Sequence, residues 1–202
     1  MSLPKMLDPV KLSDESPGPL YAISRTEAKA HLRVEDTDED DLIDALIIAA
    51  HEKLDGWNGD LGTALITQTW RISYDEFPGC RTFPLPFGPI QTVTLNYYDG
   101  DNVDQAFTAF SVHEDEVSPF VYLDEAQDSW PATSIRPDAV RFTVEAGYGD
   151  NPDDVPQPIR QAMLLMIGHW HENREQSVVG LSVNELPLGV KALLQNYRRS
   201  RF

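Results

Sequence analysis

At 202 residues the chain is long enough to bury a sizeable interior, as one large domain or as a core carrying an insertion. Its single cysteine, Cys80, excludes an internal disulfide, and its longest apolar runs, residues 42–50 and 162–170, fall far short of the ~20 residues a membrane span requires. A formal net charge of −17, divided as −8 over residues 1–60, −12 over 61–156 and +3 over 157–202, excludes DNA binding through the general surface, which needs clustered Lys and Arg to displace counterions.

Residues 1–20 mix Pro, Ser, Asp and Gly with few paired apolar positions and read as an extended arm or a partly disordered tail. The opening residues 1–8 lack the basic-then-apolar layout of a secretory signal, so synthesis in the cytoplasm is expected. Ser24 and Glu27 have capping-box spacing and predict a short helix to about Val34. Thr37 and Asp40 repeat that signal ahead of a helix to about Trp57. Leu42, Ile43, Leu46, Ile47, Ala50, Leu54 and Trp57 form its apolar stripe. Gly56, Gly59 and Gly62 end it.

Between Leu65 and Tyr148 the pattern changes to short β-rich runs, over 66–74, 90–98, 106–112 and 139–146, which predict an antiparallel sheet. Three prolines in residues 83–90 withhold ladder donors and make that segment an extended edge or connector. Asp99-Gly100 is a hairpin-type turn. Pro158 suits the first turn of a helix running to about Ser177, burying Ile159, Ala162, Met163, Met166, Ile167 and Trp170. Pro187 opens a last helix with Val190, Leu193, Leu194 and Tyr197 on one face. The expected class is α+β: a helical bundle from the N- and C-terminal helices with an inserted antiparallel β-sheet block. Its expected parts are an arm over 1–23, a helical core from 24–62 and 156–202 including a basic tail, and a β-rich insertion over 63–155.

No cluster predicts catalysis, a metal or a cofactor. His169 and His171 are two apart, pointing to different sides of a helix, and His169 with Glu172 or Asn173 supplies too few zinc ligands. Residues 36–41 begin like a calcium loop but have Asp41 where glycine is needed and Ile47 in place of the bidentate Glu; they read as acids at a helix N-terminus. Asp99, Asp101 and Asp104 are explained by turn formation. Gly147-Tyr148-Gly149 lacks the third glycine of a dinucleotide fingerprint, and Cys80 has only Arg81 as a nearby activating charge.

The C-terminus differs in kind. Lys191, Arg198, Arg199 and Arg201 follow the last acid, Glu185, with Tyr197 and Phe202 interleaved. Such cations complement a helix C-terminal dipole; equally, Arg and aromatic anchors suit docking onto a protein partner.

In order along the chain, residues 24–34 (SRTEAKAHLRV), the acidic start Asp40-Asp41, 65–70 (LITQTW), 85–90 (LPFGPI), 146–149 (AGYG), 155–162 (VPQPIRQA), 169–175 (HWHENRE), 186–194 (LPLGVKALL) and Tyr197-Arg198 together resemble the head-tail connector, or head-completion adaptor, family of long-tailed phages and gene transfer agents. The resemblance implies a non-enzymatic virion structural protein of the neck, made in the bacterial host. It implies a ring on the portal protein, usually of twelve copies, with a stopper or tail-terminator protein downstream and DNA passing through the channel without specific binding. No membrane and no cofactor are implied. An acidic ring would repel DNA and let it slide. Lys191, Tyr197, Arg198, Arg199, Arg201 and Phe202 are the expected portal-binding tail. An acidic DNA mimic is the alternative, which explains the charge but not the basic end; a hydrolase using His169 and Glu172 is the third reading.

Overall fold

A computed structural model of the chain describes residues 4–14, 21–86, 88–114, 119–173 and 188–199. The fold is α+β and divides into two compact units, one comprising Met1–Gly18, Thr67–Gly147 and Arg199–Phe202, the other Pro19–Ile66 and Tyr148–Arg198.

In the second unit, helix α1 spans Arg25–Leu32 and opens as expected, the Ser24 hydroxyl accepting from the Glu27 N–H at 3.2 Å. Helix α2, Asp40–Leu54, does not use the second expected capping box. Its N-cap is Glu39, with no side-chain cap bond, and Thr37 contributes only its carbonyl, which accepts from Asp40 N at 3.3 Å. The first-turn acid Asp40 is held instead by Lys29 and Arg25, and Asp44 by Arg25. The helix stops short of Trp57: its C-cap, Asp55, is already extended, and Gly56 follows with a left-handed φ of 72°. A 3₁₀ turn at Pro152–Asp154 leads to helix α3, Gln157–Glu172, with Pro158 in its first turn. The extension of that helix to Ser177 and the role of Pro187 lie outside the described residues. Helix α4 spans Leu188–Leu194.

All four helices feed one core: Ala28 of α1, Ile43, Ile47 and Leu54 of α2, Ile159, Met163 and Ile167 of α3, and Val190 and Leu194 of α4. Leu193, Tyr197 and Trp170 pack against it half-buried. Arg160 fastens α3 to α1 by donating to both carboxylate oxygens of Glu27, at 3.1 and 2.9 Å.

In the other unit, strands β1 (Val10–Asp14), β2 (Gln68–Tyr74), β4 (Ile90–Tyr98), β5 (Asp104–Phe107) and β8 (Val140–Ala146) form an antiparallel sheet in the order β1-β2-β8-β4-β5. Strand β8 lies at its centre because every second residue, Val140, Phe142, Val144 and Ala146, is apolar and buried. A smaller antiparallel sheet has the order β3-β7-β6, from Thr82–Pro84, Phe120–Leu123 and Phe110–His113. Pro84 lies in the edge strand β3, where its missing donor costs no ladder bond. The core gathers Tyr74, Phe83, Phe142 and Trp130, with Tyr74 and Phe83 rings 4.4 Å apart and Phe83 and Phe142 5.0 Å apart.

Two expectations need correction. The arm read from residues 1–20 contains a strand, β1, paired through Val10↔Arg71 and Lys11↔Trp70. Val10 and Leu12 alternate with Lys11 and Ser13 over only four residues, and both apolar positions stay about half exposed. The single strand expected over 106–112 is two, β5 and β6, in different sheets. Asp124 N reaches the Ala109 carbonyl at the break between them, at 3.2 Å.

Candidate functional site

The basic C-terminal segment begins on α4, which buries Val190 and Leu194 and leaves Lys191 on the exposed side. The chain continues as turns, Gln195 N to the Lys191 carbonyl at 3.1 Å and Tyr197 N to the Leu194 carbonyl at 3.0 Å. Tyr197 thereby turns against the helical core, and Arg198 emerges exposed, with Nε donating to the Asp60 carbonyl at 3.3 Å. Asp60, Leu61, Lys191, Ala192, Leu194, Gln195 and Arg198 line a cleft of about 420 Å³. Lys53 Nζ lies 3.0 Å from Asp60 Oδ2, offsetting the acid at its edge. The result is an apolar floor with a cationic rim, which can accept a carboxylate-bearing segment.

Arg199 goes elsewhere. Its side chain is only 10% exposed, and its Nη2 donates to Glu114 Oε1 at 3.2 Å within the β unit. The other oxygen of Glu114 accepts from Ile90 N at 2.7 Å. Arg199 Nη1 is buried without a hydrogen-bond partner. The guanidinium reaches this place because residue 88 is glycine, whose added Cβ would lie 2.6 Å from Nη1. Arg201 and Phe202 lie outside the described residues. Of the six expected tail residues, the structure brings Lys191 and Arg198 to one cleft, sets Tyr197 beneath the same segment and ties Arg199 to Glu114.

Asp60, Leu61, Glu114 and Gly88 were not read from the sequence as parts of this region. Gly88 stood in the quoted segment 85–90, but nothing local pairs it with position 199.

The other clusters have structural partners. His171 Nε2 lies 2.8 Å from Glu39 Oε2, linking α3 to the start of α2, while Asn173 Nδ2 donates to the His169 carbonyl at 2.8 Å. The Asp99 carboxylate accepts from the N–H groups of Asp101 and Val103 at 3.0 and 2.9 Å and from Gln105 Nε2 at 2.9 Å, and these donors hold it below its ordinary range. Cys80 is exposed, its sulfur 3.2 Å from the Thr82 carbonyl. Among the described residues no group of three or more His, Cys, Asp and Glu side chains is placed to hold a metal ion, and no helix is long and apolar enough to cross a membrane.

Among curated proteins nothing matches the chain. Residues 121–198 match the family described as phage gp6-like head-tail connector protein. Three solved structures are similar, each covering 97% of this chain and 97% of its own. They are the virion of a native gene transfer agent particle (TM-score 0.74, 23% identity), the neck of an empty particle computed with C6 symmetry (0.73, 22%) and the neck of a native particle computed with C12 symmetry (0.68, 22%). Residues 121–198 thus carry the pattern of the phage gp6-like head-tail connector family, in a chain whose fold is similar over nearly its whole length to chains of gene transfer agent particles.

Proposed function

We propose that the chain is a non-enzymatic structural connector of the virion neck that assembles as a ring, usually of twelve copies, on the capsid portal. The ring bridges the portal to a stopper or tail-terminator protein and leaves a channel for DNA. The observation that carries this reading is the shared fold, over 97% of both chains, with structures titled as particle necks, one of them computed with C12 symmetry. The family match over residues 121–198 supports it independently. The charge of −17 per copy fits a wall along which a polyanion slides without adhering.

Docking onto the portal is assigned to the segment from Lys191 to Phe202, with Lys191 and Arg198 on the cleft rim as its accessible cations and Arg199 as the internal tie to Glu114. Electron microscopy of intact particles tests the reading as a whole: density for this chain is expected between portal and tail, and its absence from the neck overturns the connector role. Capture of the purified chain on immobilised portal tests the docking segment. Loss of residues 196–202 is expected to abolish capture, and unchanged capture counts against that assignment.

A further inference from the structure

Strand β1 is held in an unusual way. Val10 and Leu12 are 48% and 46% exposed, and Lys11 is exposed as well, so the strand buries neither face well. What fixes the arm is mostly main chain. Asp75 N donates to the Lys5 carbonyl at 3.2 Å, Leu7 N to the Ser73 carbonyl at 2.9 Å, and the β1–β2 ladder follows, its register broken between Lys11 and Ser13. Lys5 N adds a bond to Asp75 Oδ1 at 2.7 Å. Main-chain bonds are identical in every copy of a protein, so any copy's arm fits any copy's β2 edge equally well.

The β2 edge, by contrast, needs an arm. Pro4 and Met6 wall an apolar cavity of about 240 Å³ together with Tyr74, Phe83, Pro84 and Pro86. Without the arm that cavity opens and β2 becomes a bare edge strand. The linker that follows the arm contains Ser16-Pro17-Gly18-Pro19, a poor sequence for helix or sheet. Six residues, 15–20, separate the arm from the next described segment, and a chain of that length spans at most ~20 Å at full extension.

Electrostatics points the same way. Each copy carries −17, so side-by-side copies repel, yet residues 4–14 contain two lysines, Lys5 and Lys11, and two aspartates, Asp8 and Asp14. The arm is neutral and can approach a neighbour without net repulsion. Val10 and Leu12, exposed in the single chain, are the apolar surface that such a neighbour would cover.

We propose that in the assembled ring the arms are exchanged, the residue 4–14 segment of each copy pairing with β2 of the next. The inference rests on the connector reading, and the test separates the two. Val10→Cys with Arg71→Cys, partners in the β1–β2 register, is introduced with Cys80→Ser into the full chain in particle-producing cells. Purified particles are oxidised and run on a non-reducing gel.

Exchange predicts a ladder of covalent multimers that collapses on reduction, while the free protein gives monomers with an internal disulfide. Particles that contain the chain but give only monomers overturn the exchange and leave the connector reading standing. Absence of the unaltered chain from purified particles removes both. If the first pair does not fold, Ser13→Cys with Thr69→Cys, a register pair beyond the break, gives the same readout.

Discussion

At the scale of single residues, the decisive contact is Arg199 with Glu114. One carboxylate satisfies both a guanidinium that is 10% exposed and the Ile90 N–H, while the second guanidinium nitrogen has no hydrogen-bond partner. Replacing Glu114 by Ala leaves a mostly covered cation and an amide unpartnered. The expected loss is about 1–3 kcal/mol by chemical denaturation, the range for a buried polar group left without its partner. Arg199→Ala should destabilise similarly and leave portal capture nearly intact, whereas Lys191→Ala with Arg198→Ala should weaken capture and shift the denaturation midpoint less, the Arg198 bond to the Asp60 carbonyl being exposed. The opposite pattern would make Arg199 the docking residue.

Acid sensitivity also belongs to individual side chains. Hydrogen bonding from Arg25 holds the Asp44 carboxyl below its ordinary value, and Arg136 does the same for Asp138. A carboxylate depressed in the folded state contributes stability that is complete above its ordinary value of 3.8 and is lost as pH falls through the lower folded value. Stability should therefore be nearly level from pH 7 to about 5 for these two groups and decline below about pH 4. Asp44→Asn should make that decline shallower, as read from denaturation midpoints across the acid range. An unchanged acid slope would show that the pair with Arg25 does not persist in solution.

Among the elements, legibility followed burial. Helix α1 was readable from its Ser24 cap, α2 and α3 because each buries a stripe at helical spacing, and β8 because its buried face alternates with period two. Strand β1 was not, since neither face is well covered and its pairing is made by the backbone. The break between β5 and β6 was hidden for another reason: Phe107 and Phe110, whose rings stack 6.5 Å apart, continue one apolar run while their strands join different sheets. The region proposed to dock was half legible. Its cations stood out by charge segregation, but the diversion of Arg199 depends on Glu114, 85 positions away, and on the space left by Gly88. Removing residues 1–14 tests what β1 contributes. The helical unit keeps its core, so far-ultraviolet ellipticity from its helices should persist. The opened cavity beside Tyr74 and Phe83 should bind a fluorescent apolar dye that the intact chain does not, and unchanged dye binding would mean that the arm covers nothing.

For the molecule as a whole, charge sets two associations against each other. Copies of −17 meeting side by side repel, and salt relieves that repulsion, the screening length falling from ~10 Å at 0.1 M to ~3 Å at 1 M. Docking through the rim of Lys191 and Arg198, as proposed, would work by attraction, which the same salt weakens. Raising sodium chloride from 50 to 500 mM should therefore strengthen self-association in sedimentation velocity while reducing capture on immobilised portal. A ring held by neutral strand pairing predicts this opposition, because its contacts are insensitive to screening and only the repulsion between bodies changes. A ring held by ion pairs between copies predicts the reverse for sedimentation, with larger species at low salt and monomers at high salt. Both measurements falling together would mean that charge attraction, not backbone pairing, closes the ring.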